Sequence, residues 1–149
     1  LQTICFKRKK KTNRSILHNF FSVTKEEINE AQSRLGFNLP KQLVEFYEKI
    51  GYGFMFINTG HASNSLLHPS IIADMYLRED PFEGDSDLDI YDDKSQIIFY
   101  RVNEGVFITM DISNDSSNIY YFTAVIADSF EDFMNKLEKN STYFEEFEI

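Results

Sequence analysis

The chain has 149 residues, of which 42% are apolar and 15% aromatic, enough to build the core of one domain of ordinary size. Its formal net charge of -9 is unevenly distributed. Residues 1–25 carry seven basic side chains and no acid, whereas residues 26–149 carry 24 acidic and eight basic side chains, a balance of -16. So acidic a body argues against nucleic-acid binding, because phosphate contacts need Lys and Arg, and it favours a basic partner.

Two further counts bear on where the chain works. No apolar run approaches the roughly 20 residues that a membrane-spanning helix needs, so no membrane contact is expected. Cys5 is the single cysteine and cannot form an internal disulfide, which favours a reducing, cytoplasmic location.

The first 22 residues are predicted to be a basic segment that stands apart from the rest. Residues 7–11 (KRKKK) form its charge block, which we interpret as a solvated tail rather than a nucleic-acid or membrane patch. Ile16, Leu17, Phe20 and Phe21 fall at helical spacing, so the segment is expected either to contain a short helix or to be partly disordered. Residues 23–149 are predicted to form a single domain.

Two helices are expected at the start of this domain. Thr24 and Glu27 have the spacing of a capping box, and Gly36 suits the end of the helix that follows. Pro40 is expected as the first residue of the second helix, where its missing N–H costs nothing, and Gly51 is expected to end that helix.

The rest of the domain is predicted to contain strands, a short helix and a last helix. The expected strands are residues 52–57, 96–102, 106–112 and 119–126; the short helix is 69–77; and the last helix begins at Asp128, with Glu131 at capping-box distance. Asn103-Glu104-Gly105 predicts a tight antiparallel hairpin. The order predicts an α+β fold, with N-terminal helices, a central antiparallel meander and a C-terminal helix packed on it.

No motif predicts catalysis, a metal or a cofactor. Gly51-Tyr52-Gly53 follows a helix and lacks the third glycine of a dinucleotide site, so we interpret it as a helix stop before a tightly packed strand. Residues 85–89 (DSDLD) begin like a calcium loop, but Ile90 stands where Gly is needed and Gln96 where a bidentate Glu is expected. We expect no catalytic residue, no metal, no cofactor and no small-molecule ligand.

The acidic stretch in residues 79–93 is the predicted partner-binding site. Aromatic side chains lie among the acids, and aromatic anchors with acidic neighbours suit an interface with a basic protein. The candidate residues are Glu79, Asp80, Phe82, Glu83, Asp85, Asp87, Asp89, Tyr91, Asp92 and Asp93. A solvated loop kept acidic for solubility explains the same composition equally well.

Residues 24–56 (TKEEINEAQSRLGFNLPKQLVEFYEKIGYGFMF) resemble the N-terminal signature of the SUKH superfamily. That signature has an acidic amphipathic helix, a Leu-Pro pair, a helix with aromatic residues and a glycine-containing turn. The matching residues are Ile28, Leu35, Gly36, Leu39, Pro40, Phe46, Tyr47, Gly51 and Gly53. Residues 126–133 are similar to the last strand and closing helix of the family, while Tyr52 stands where a polar residue is usual.

The resemblance implies a non-catalytic bacterial immunity protein that binds a cognate toxin domain, often a nuclease or deaminase, in the cytoplasm of the producing cell. Fungal relatives act in cell-wall regulation through protein contacts, so a regulatory module with several partners is an alternative. An enzyme with an unrecognised carboxylate site is a third hypothesis and would need a deep pocket. Partner-binding residues vary within the family, so the resemblance assigns none here.

Overall fold

The computed structural model describes residues 11–12, 16–57, 64–113 and 116–147, with the backbone alone at 11–12 and 16–17. Cys5 and the basic block, apart from the backbone of Lys11, lie outside the described residues. The helices are α1 (Lys25–Leu35), α2 (Lys41–Lys49), α3 (Pro69–Leu77) and α4 (Phe130–Lys139), with 3-10 helices at Ser86–Tyr91 and Tyr143–Glu146. The strands are β1 (Lys11–Thr12), β2 (Ile16–Leu17), β3 (Asn19–Phe21), β4 (Tyr52–Phe54), β5 (Ser65–Leu66), β6 (Gln96–Asn103), β7 (Val106–Asp111), β8 (Ile119–Tyr121) and β9 (Ala124–Ala127).

Strands β3 to β9 form one antiparallel sheet in which neighbours along the chain are also neighbours in space. Strands β1 and β2 pair separately. The longest ladder joins β6 to β7 through the predicted hairpin, where Gly105 takes a φ of 74°. An α+β fold with a central antiparallel meander is therefore confirmed.

Local signals set the ends of α1. The Thr24 hydroxyl accepts from the Glu27 N–H at 3.1 Å, and the Glu27 carboxylate accepts from the Thr24 N–H at 2.8 Å, so the capping box is complete. Gly36 ends the helix with a φ of 84°. Helix α3 has the predicted bounds. In α2, however, Pro40 is the cap residue rather than the first helical residue, because its ψ of 138° is extended.

The core between the sheet and helices α2 and α4 is aromatic. The Phe46 ring of α2 lies 5.7 Å from the Phe20 ring of β3. The Phe133 ring of α4 lies 5.4 Å from both the Phe99 and Tyr100 rings of β6. Edge-to-face contacts of this kind add roughly 0.5–1.5 kcal/mol each beyond the area they bury. They dock α4 on the sheet, as predicted.

The expected helix near residues 16–21 is wrong, because these residues form β2 and β3. Phe20 is 1% exposed and Phe21 is 41% exposed, the alternation of a strand with one buried face. Pairing of β3 with β4 explains why residues 19–21 form a strand instead of a helix. Gly53, at a φ of 144°, has no room for a Cβ, which would lie 2.2 Å from the Asn19 carbonyl oxygen. The close packing of the strand after Gly51 is thus as predicted.

Several other boundaries differ from the prediction, including the ends of β6 and β7, which lie one residue from the expected positions. The strand expected at residues 52–57 ends at Phe54. The single strand expected at 119–126 is the pair β8 and β9, because the chain turns at Phe122, whose φ is 54°. Helix α4 is capped one residue later than expected, since the Ser129 hydroxyl accepts from the Asp132 N–H at 3.0 Å.

Candidate partner-binding surface

The connection between α3 and β6 contains all ten predicted site residues, and side-chain hydrogen bonds and ion pairs fix much of its conformation. Its 3-10 helix, Ser86–Tyr91, is capped by the Asp85 carboxylate, which accepts from the Asp87 N–H at 3.0 Å. Leu88 points into the core at 1% exposed, whereas Ile90 is 68% exposed. Ile90 is the most exposed of the large apolar side chains that the structure describes, and it was not among the predicted site residues.

The predicted aromatic anchors Tyr91 and Phe82 pack against other parts of the protein instead of projecting into solvent. The Tyr91 hydroxyl accepts from the Phe107 N–H of β7 at 3.0 Å, and the two rings meet edge to face at 5.5 Å. Burial raises the pKa of the Tyr91 phenol. Phe82 is half-buried and packs against the core. Both side chains therefore hold the acidic connection to the sheet.

Arg78 neutralises part of the acidic connection from the end of α3. Its Nη2 donates to the Asp92 carboxylate at 2.9 Å and to the Asp89 carboxylate at 3.2 Å, and its Nη1 donates to the Asp85 backbone oxygen at 3.1 Å. Arg78 is the C-cap residue of α3 and has a φ of 54°. That left-handed turn brings the guanidinium back over the segment that follows.

Arg34 of α1 and Ser95 engage three more carboxylates. The Arg34 Nη2 donates to the Asp74 carboxylate at 2.5 Å and also to the Glu79 carboxylate. The Asp93 carboxylate accepts from the Ser95 hydroxyl at 2.6 Å and from its N–H at 2.9 Å, and these bonds lower the pKa of Asp93. Five of the predicted acids, Glu79, Asp85, Asp89, Asp92 and Asp93, thus have partners inside the chain.

Four exposed carboxylates in this region have no hydrogen bond or ion pair within the part of the chain that the structure describes. They are Asp80, Glu83 and Asp87 of the acidic connection and Glu104 of the β6–β7 turn, and we call them the free acids. The first three were predicted, whereas Glu104 was not, because only the packing of the connection on the hairpin brings it close. An ideal Cβ on Gly105 would lie 3.1 Å from Asp87 Oδ2, which shows how near the two segments come.

A groove of about 370 Å³ separates the connection from this hairpin. Phe82 and Phe107 line it, together with Asp87, Glu104 and Arg101. The Arg101 guanidinium lies 5.7 Å from the centre of the Phe107 ring and forms no ion pair in the described ranges. The carboxylates of Asp85, Asp87 and Glu104 line the groove with this one guanidinium, so its net charge is negative and favours a Lys or Arg side chain from a partner.

Other candidate chemistry has little support in the geometry. Among the described residues, no group of three or more His, Cys, Asp or Glu side chains could hold a metal ion. The aspartates that begin like a calcium loop instead cap a 3-10 helix and pair with Arg78. No helix in the described ranges is long and apolar enough to cross a membrane. A larger groove, of about 720 Å³, lies between α2 and the end of β7.

Comparison of the sequence with known proteins places the chain in a known family. The sequence matches the SMI1/KNR4 family (SUKH-1) over residues 22–136, and the chain belongs to this family, which confirms the resemblance to the SUKH superfamily. Among its relatives is immunity protein YxxD of Bacillus subtilis (strain 168), which is 33% identical over 130 residues, covering 85% of this chain and 88% of the relative.

Proposed function

We propose that the chain is an immunity protein that binds and neutralises a cognate toxin domain, such as a nuclease or a deaminase, in the cytoplasm of the producing bacterial cell. The observation that carries this proposal is the similarity, over most of both chains, to a protein named as an immunity protein. The role needs binding alone, so no catalytic residue is assigned.

The charge distribution supports a basic partner. The free acids Asp80, Glu83, Asp87 and Glu104 keep their full charge available to a partner, whereas Arg78 and Arg34 offset their neighbours. A toxin that holds nucleic acid is basic where it contacts phosphates. Opposite charge on the two surfaces speeds association and selects against acidic proteins.

The proposed contact surface consists of the free acids and Ile90. The paired residues Glu79, Asp85, Asp89, Asp92 and Asp93 shape the connection, and Phe82 and Tyr91 attach it to the sheet. Ile90 offers an exposed apolar side chain that a partner would bury on binding, and burying such a side chain slows dissociation.

The direct test uses the purified chain and the C-terminal domain of a large secreted protein encoded beside its gene. We expect a one-to-one complex by size-exclusion chromatography with light scattering, and loss of the toxin's activity at equimolar ratio. A complex that leaves the toxin active, or several weak complexes with unrelated proteins, would favour the regulatory-module hypothesis instead.

A further inference from the structure

Two aromatic side chains at one edge of the sheet are left exposed. Phe21 of β3 is 41% exposed and Phe54 of β4 is 46% exposed. Phe21 pairs with Tyr52, and Phe54 lies two residues beyond Tyr52, so both rings project from the same face of the sheet. Phe54 pairs with Asn19, so the two residues are diagonal neighbours, about 7–8 Å apart, and exposed aromatic side chains this close are typical of a binding surface.

The sheet register connects this aromatic pair to the groove beside the free acids. Directly opposite residues share a face, and Phe54 pairs with Ser65, Ser65 with Arg101, and Arg101 with Phe107. Arg101 and Phe107 line the groove. In this row Ser65 lies between Phe54 and Arg101. Two strand spacings, or roughly 10 Å, therefore separate Phe54 from Arg101.

We propose that the surface for the basic toxin domain extends across this face, with Phe21 and Phe54 as its apolar anchors and the free acids as its charged rim. The inference rests on the proposed function and assigns it two residues outside the acidic connection.

Charge selects this occupant over the alternatives. A second copy docked on the same face in a symmetric dimer would bring two sets of free acids close to each other, and like charges repel. An anionic lipid surface would be repelled for the same reason. A basic protein domain is attracted by the rim and can bury the two rings.

The two parts of the surface have different kinetic roles. Exposed rim charges act mainly before contact and set the association rate, whereas buried aromatic anchors act after contact and set the dissociation rate. Losing an anchor that behaves as a hot spot is expected to raise the dissociation rate about 30-fold, while the association rate stays within about 2-fold.

The test measures both rates by surface plasmon resonance, with the immobilised C-terminal domain of the neighbouring secreted protein as probe. The variants are Phe21→Thr and Phe54→Thr, since Thr keeps a high strand propensity. The matched control is Phe147→Thr, which removes another exposed ring, 38% exposed and next to Tyr143. Thermal unfolding shows whether each variant is folded before its rates are compared. If Phe54→Thr is not folded, Phe54→Lys replaces it, because Lys suits an exposed strand near a sheet edge.

Faster dissociation of the Phe21 and Phe54 variants, with the Phe147 variant unchanged, would support the inference. Tight binding of the unmodified chain, with dissociation unchanged in both variants, would overturn the inference and leave the proposed function standing. A dimer of the unmodified chain in sedimentation equilibrium, lost in Phe54→Thr, would assign this face to a second copy and overturn the inference too. An unmodified chain that neither binds nor inhibits the toxin would overturn both.

Discussion

Reversing three of the four free acids, which we call the free-acid reversal, tests whether their charge steers a basic partner. The perturbation is the triple change Asp80→Lys, Glu83→Lys and Asp87→Lys, which alters the local charge by six units. These side chains are exposed and have no partner in the described ranges, so folding stability should change by less than about 0.5 kcal/mol. The matched control reverses Glu30, Glu138 and Glu146, which lie on α1, α4 and the last 3-10 helix.

The expected effect follows from Coulomb's law with screening. Two unit charges about 10 Å apart in water interact by about 0.4 kcal/mol, which screening reduces to about 0.3 kcal/mol at 10 mM salt and about 0.1 kcal/mol at 150 mM. Six units acting on one unbalanced partner charge change the encounter energy by about 1.8 and 0.7 kcal/mol respectively. The association rate should therefore fall about 20-fold at low salt and about 3-fold at 150 mM.

Stopped-flow association with the toxin domain, measured at both salt concentrations, is the assay. The control triple should change the rate much less, because its three positions are spread over other elements. An association rate that the free-acid reversal leaves unchanged at 10 mM salt would refute the steering argument. A loss of equal size in the control would show that net charge, rather than this surface, governs the encounter.

Three further predictions concern the fold that carries the surface. Gly53→Ala should lower the free energy of unfolding in urea by about 3 kcal/mol, because a φ of 144° and the nearby backbone of β3 leave no room for a Cβ. Hydrogen bonds from the Thr24 backbone and His68 lower the pKa of Glu27. The Glu27 charge therefore stabilises the fold above the ordinary pKa of 4.5, and this contribution is lost as pH falls. In urea unfolding, Glu27→Gln should be less stable than the unmodified chain at pH 7 but not at pH 3. Arg78→Gly keeps the left-handed turn but removes the guanidinium, so amide exchange in residues 79–94 should accelerate. Global stability should fall by only about 1 kcal/mol, because the Asp89 and Asp92 side chains that pair with Arg78 are 68% and 61% exposed.

Local chemistry made several elements predictable from the sequence. The capping box at Thr24 and the β6–β7 hairpin each depend on residues within a few positions of one another, and both were predicted where they occur. Strand β3 was not, because its apolar residues fit a helical period as well as a strand, and only pairing with the distant β4 decides between them. Phe122 offers no Gly or Pro signal for the turn that divides β8 from β9.

The candidate site was predictable in composition but not in arrangement. The acids of residues 79–93 are evident in the sequence, yet their pairing is not, since Arg34 reaches Asp74 and Glu79 across 40 and 45 positions. The same applies to the exposed pair Phe21 and Phe54, which only the sheet register brings together. Long-range contacts thus decide which charged and aromatic side chains remain available to a partner.

Survival of cells that produce the toxin tests the central claim most directly. The C-terminal domain of the neighbouring secreted protein would be expressed in the cytoplasm with the unmodified chain, with the free-acid reversal, or without either, and surviving cells counted. The account predicts that the unmodified chain restores survival and that the free-acid reversal restores it less at equal expression. Killing by the toxin domain that the folded, co-expressed chain does not relieve would contradict the claim for that pair.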